Sequence, residues 1–197
     1  MTSTDICNLA LAYIAKGRIT ALSQETEEAR QCNMHYDHCR RMLLRSYRWG
    51  FARRMEKLAK VSATAPGWDY VYGYPSNCLS VRFVFAEDEA ERKEVNKDEF
   101  DVAVVDGVKV LLSNVEDAWC EYTEDVTEVA KMTEEFIEAL ARYLAASMAM
   151  VVTGNDGLMN MNYQLMQAAL QQAQVEAARE REQTPQFPTK YAEARFG

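Results

Sequence analysis

Glycine and proline are scarce, at 8 and 4 of 197 residues. That excludes collagen-like and low-complexity chains and counts against an all-β protein built on many tight turns. The histidines are only His35 and His38. No apolar run reaches the ~20 residues a membrane span needs. The best, Tyr143 to Thr153, is short and rich in Ala and Met. The N-terminus is polar and carries Asp5, so no signal peptide is expected. The five cysteines (Cys7, Cys32, Cys39, Cys78 and Cys120) are odd in number, spread out and without a CxxC pair. Reduced thiols in a cytosolic setting are the expectation. The Walker loop, GxGxxG, GxSxG and HExxH patterns are all missing, which counts against an enzyme.

What is present is a chain that is 48% apolar and long enough for one sizeable core, or a core plus a smaller lobe. Its net charge of −8 is unevenly spread. Met1 to Lys60 holds 11 Lys/Arg against 6 Asp/Glu, whereas Val61 to Leu140 holds 6 against 19. A basic end and an acidic middle can attract each other between copies, or they can be ordinary solvated surface. A chain this acidic is a poor dedicated nucleic-acid binder.

A first helix is expected from about Asp5 to Lys16, capped by Ser3 or Thr4 and closed by Gly17. Ile6, Leu9, Ala10, Tyr13 and Ile14 make one apolar face. A second is expected from about Glu25 to Arg48. Ala29, Cys32, Tyr36, Cys39, Leu43 and Tyr47 recur every three or four residues along it. Its acids Glu25, Glu27 and Glu28 lead and its arginines follow, as the helix dipole favours. Trp49-Gly50-Phe51 ends it.

From Phe51 the texture turns to short Val, Tyr and Phe runs. Expected strands are Trp68–Tyr72, Leu79–Phe85, Phe100–Val105, Val108–Leu112 and Trp119–Thr123. Asp106-Gly107 between two Val-rich runs predicts a type I′ hairpin. The charged stretch Glu87 to Glu99 reads as an exposed loop. Helical spacing returns at about Thr133 and breaks at Gly154 and Gly157. A last helix is expected from about Leu158 to Glu182, then a polar tail from Gln183. The expected fold is α+β and mainly α. Residues 1–50 and 127–182 form an antiparallel bundle of two N-terminal and two C-terminal helices. Residues 51–126 form an inserted antiparallel β lobe, and 183–197 an extended arm.

The one site-like cluster is Cys32, His35, His38 and Cys39. Cys and neutral His are natural zinc ligands, and a thiol beside an imidazole suggests a nucleophile. Against both, Cys32 and Cys39 lie on the apolar stripe, where a free thiol behaves as a small hydrophobe. No metal, cofactor or catalytic residue is therefore expected. The basic run Arg40, Arg41, Arg45, Arg48, Arg53, Arg54, Lys57 and Lys60 is interleaved with Tyr47, Trp49 and Phe51. It admits a nucleic-acid-binding or packaging accessory role. The favoured reading is helix-end charge with salt bridges to the acidic middle, because the chain as a whole is acidic.

Asn8-Leu9-Ala10 to Ile14, Ile19-Thr20-Ala21-Leu22, Thr26 to Ala29, Tyr36, Arg40-Arg41 to Leu44 and Trp49-Gly50-Phe51-Ala52-Arg53 form an ordered series. It resembles the opening of the tail tubular protein A family, the head-to-tail adaptors of short-tailed bacteriophages. Tyr74-Pro75-Ser76-Asn77-Cys78-Leu79-Ser80-Val81 is similar to that family's entry into its β lobe. The resemblance implies a non-enzymatic virion protein at the head–tail junction, present in the host cytoplasm before assembly. It implies a ring of about twelve copies between a portal protein and a tail nozzle protein, enclosing the channel through which DNA leaves. It further implies that the arm docks on the portal, with Phe187, Tyr191, Arg195 and Phe196 as the candidate contacts. Arg40, Arg41, Arg45, Arg53 and Arg54 are the candidate contacts between subunits, basic face to acidic face.

Overall fold

A computed structural model of the chain describes residues 1–86 and 99–180. The stretch 87–98, including most of the expected charged loop, and the whole expected arm lie outside the described residues. The fold is mixed α+β. Two helices, α1 (Ser3–Tyr13) and α2 (Glu27–Ser46), are followed by six strands, then by α3 (Glu134–Thr153) and α4 (Asp156–Arg179).

Each helix is set by local chemistry. Thr2, not Ser3 or Thr4, caps α1. Its hydroxyl accepts from the Asp5 amide while the Asp5 carboxylate accepts from the Thr2 amide at 2.7 Å, a reciprocal box. Donation to that carboxylate from the Thr2 amide, and from the Thr2 hydroxyl at 2.9 Å, holds the Asp5 carboxyl below its ordinary value. The helix stops before Gly17, because Ala15 already takes a left-handed turn at φ 55°. Thr26 caps α2 at the Ala29 amide, so the helix starts two residues later than expected. The stripe Ala29, Cys32, Tyr36, Cys39 and Leu43 is buried as its spacing predicts, and Tyr47 is half-buried. Thr133 caps α3, Gly154 closes it at φ 67°, and Asn155 caps α4 at the Leu158 amide.

One apolar cluster takes residues from all four helices and adds Trp49, Val126, Val129 and Met132. Helix α3 is central to it, with ten buried residues. By length and composition α3 alone among the described helices could cross a membrane, at mean hydropathy 1.4, yet 56% of that window is buried inside the chain. Here its apolarity serves the core. The aromatic segment after α2 locks in beside it. Trp49 donates from Nε1 to the Leu43 carbonyl at 2.8 Å, and its ring meets Phe136 edge-on at 5.2 Å.

The strands are β1 (Arg53–Lys57), β2 (Tyr70–Gly73), β3 (Cys78–Phe85), β4 (Phe100–Val105), β5 (Val108–Ser113) and β6 (Trp119–Glu124). They form two three-stranded antiparallel sheets, ordered β1-β6-β3 and β2-β5-β4. The sheets share a core of Tyr72, Val84, Leu111, Cys120 and Tyr122. The expected hairpin is present: Asp106 and Gly107 have φ 50° and 79°, as a type I′ turn demands. Strand β1 was not expected. Its sequence Arg-Arg-Met-Glu-Lys carries no apolar alternation, because as an edge strand it is exposed on nearly every residue and held by its pairing with β6.

Candidate functional site: an arginine and carboxylate seam

Strand β3 does not pair evenly with β6. The register slips between Cys78 and Ser80 and again between Val81 and Phe83, leaving Leu79 and Arg82 as extra residues. A bulge re-aims the side chain it carries. Both of these point toward the helices. Leu79 packs against the helical cluster. Arg82 donates from Nη2 to the carbonyls of Arg45 at 3.1 Å and Tyr47 at 3.0 Å. A cationic donor on the last carbonyls of α2 satisfies groups the helix leaves open and complements its dipole.

The rest of the seam is built from the basic run itself. Arg40 is 1% exposed. Its Nη1 donates to Asp125 Oδ1 at 2.5 Å and to the Val126 carbonyl at 2.6 Å, while Nη2 reaches Asp37 at 3.0 Å. Arg41 donates from Nε to the other Asp125 oxygen at 2.9 Å. The Asp125 amide in turn donates to the Asn77 carbonyl at 2.8 Å. Glu121, buried on β6, takes both Arg48 and Arg53, the latter at 2.7 Å, and the Arg48 guanidinium lies 4.2 Å over the Phe83 ring. Arg54 meets Glu124 at 3.8 Å.

The basic end therefore pairs with the acidic middle within one chain. For buried pairs, geometry and full hydrogen bonding decide whether attraction repays desolvation. Arg40 meets that standard and has no side-chain surface left to offer a neighbour. Arg41, Arg45, Arg53 and Arg54 are exposed. Of these, Arg41, Arg53 and Arg54 are engaged with acids of their own chain. The four candidate portal contacts Phe187, Tyr191, Arg195 and Phe196 lie outside the described residues.

The Cys/His cluster separates into core and edge. All five cysteines are free thiols. Cys32 is fully buried, with its Sγ 3.7 Å from Met148 Sδ, and it accepts a hydrogen bond from Cys7 that draws its pKa down and pushes that of Cys7 up. Burial raises Cys39, whose Sγ lies 3.5 Å from the Ser147 hydroxyl. His35 is half-buried and His38 exposed. Among the described residues no group of three or more His, Cys, Asp or Glu is placed to hold a metal.

Asn8 shows what the motif series does physically. Its side chain accepts from the Ile19 amide at 2.8 Å and donates to the Ile19 carbonyl at 3.0 Å, pinning the α1–α2 link. The two segments that carry the resemblance also meet. Arg40 and Arg41 come from the first and Asn77 from the second, and all three converge on Asp125. Sequence reasoning did not foresee the pairings of Asp125, Glu121 or Arg82, and Asn8 entered it only as the opening of the motif series. For Arg40 a signal existed: it stands four residues after Tyr36 and four before Leu44, on the buried face of α2. No model of a known protein family matches the chain, and no curated protein matches it.

Proposed function

We propose that the chain is a non-enzymatic structural subunit of a phage virion, an adaptor that joins the portal to the tail nozzle as a ring around the DNA channel. The observation that carries this reading is the convergence on Asp125. Two ordered segments resembling the tail tubular protein A family, separated in sequence, are held to one residue, the first by its carboxylate through Arg40 and Arg41 and the second by its backbone amide through the Asn77 carbonyl. The order helix, helix, strands, helix, helix suits an antiparallel bundle of the four helices with the β lobe inserted, in keeping with the helical core and β domain that the resemblance implies. A seam of charge-assisted bonds between helices and sheets suits a part whose work is to hold shape under load.

In this reading the remaining exposed arginines, Arg41, Arg45, Arg53 and Arg54, face a neighbouring subunit. The arm with Phe187, Tyr191, Arg195 and Phe196 reaches the portal. The test is to mix the purified chain with the portal protein encoded beside it and image by electron microscopy. Rings seated on portals are expected. No ring and no portal complex at any concentration sinks the reading. A free chain that stays monomeric does not, because a ring can require the portal as template.

A further inference from the structure

Charge is missing from one part of the molecule. From Tyr143 to Val175 the only charged residue is Asp156, in a chain that is 26% charged. For the inner half of that hairpin the reason is burial. Asn162, Met166, Ala173 and Ala177 face the core. For the outer flank of α4 burial gives no reason. Met161 is 44% exposed, Leu165 42% and Val175 50%. With Ala168 and Gln172, also exposed, they recur at alternating steps of four and three residues. That spacing draws one stripe along a helix, the spacing with which helices pack against each other. An ordinary solvent-facing helix surface is charged, and its charge keeps it soluble.

We propose that this uncharged flank of α4 is where a second copy of the chain docks. The proposal rests on the ring-subunit reading and gives that ring a contact surface. The occupant follows from charge. Two chains each of net charge −8 repel wherever their acidic surfaces meet, so close approach is least opposed at a surface without charge. Beside the stripe stand Asn160, Gln164, Gln167 and Gln171, all exposed. Amides donate and accept equally, so they can satisfy polar groups on a copy without importing an unpaired charge. A partner recognised through phosphates or carboxylates finds no cation here.

The experiment is sedimentation equilibrium of the full chain from about 10 μM to about 1 mM, a range that covers weak to moderate self-association. The mass of the wild type is expected to rise above the monomer value of 22.5 kDa. In Leu165→Glu/Val175→Glu the concentration needed is expected to rise at least ~10-fold, about 1.4 kcal/mol. Both positions are exposed, and an unchanged far-ultraviolet circular dichroism spectrum confirms folding. If that pair fails to fold, Leu165→Gln/Val175→Gln carries the same test without charge. Val104→Glu, at an exposed position on β4, is expected to leave association unchanged. A variant that associates like the wild type overturns the proposal; where the free wild type stays monomeric throughout, the comparison is made on portals, and a variant that seats rings there like the wild type overturns it. So does binding of the wild type to neutral phosphatidylcholine vesicles without self-association, which assigns the flank to lipid. The two readings fail separately. Normal rings on portals from the Leu165→Glu/Val175→Glu chain overturn the docking surface alone. Self-association through α4 with no portal ring overturns the adaptor reading alone.

Discussion

The seam and the α3–α4 hairpin treat charge in opposite ways. At the seam, arginine meets carboxylate inside one chain, and Arg40 is buried with it. Along the hairpin, charge is almost absent and apolar side chains stand in solvent. The seam's polar atoms are largely satisfied, so it joins the helices to the sheets. The outer hairpin face carries apolar side chains and neutral amides, so a surface that covers it buries no charge. A formal charge total conceals this division entirely.

The largest effect expected from breaking the contrast is at Arg40. Arg40→Leu strands the Val126 carbonyl and leaves Asp125 with Arg41 alone, and should cost about 3 kcal/mol. Urea unfolding measures it. A loss under ~1 kcal/mol would mean the seam does not hold the two parts together. Asn8→Ala comes next. Unpairing both Ile19 backbone groups should cost ~2 kcal/mol and raise hydrogen exchange at the Ile19 amide. No change in that exchange would show that the link is held otherwise.

A smaller effect belongs to pH. Burial, then the neighbouring His38, holds His35 below its ordinary 6.5. The fold therefore prefers neutral His35. That share of stability is present above pH 6.5 and is lost as pH falls through the lower folded value. Denaturation midpoints at pH 7.5 and at pH 5.5 should show a drop that His35→Gln reduces. An undiminished drop would place the pH response elsewhere. Smallest of all is Leu165→Glu, expected within about 0.5 kcal/mol of wild type in stability. A much larger loss would make that side chain part of the fold rather than of its outer surface.

How much of this was legible in the sequence follows from what burial does to a pattern. The four helices were legible because apolar residues recur every three or four positions. Five strands and the Asp106-Gly107 turn were legible from β-branched runs and turn chemistry. Strand β1 was not, since an edge strand exposed on both faces leaves no alternation. The division into two sheets was not either, because pairing partners such as β1 with β6 are set by tertiary contacts rather than local pattern. Helix starts slipped by two residues where a side-chain cap decided them, as at Thr2 and Thr26. At the seam, the opposite charges of the basic end and acidic middle were visible in sequence. That they join within one chain was not, because the Arg82 bulge and the Asp125 junction exist only once the sheets have formed.

The two bulges of β3 have a mechanical consequence. Because Arg82 grips the carbonyls that end α2, the β lobe is tied to the tip of a helix about 30 Å long as well as, through Asp125 and Arg40, to its flank. A pull on the sheets therefore reaches that helix at two separate places. One extra residue in a strand thus adds a second anchor, so that neither has to carry such a force alone.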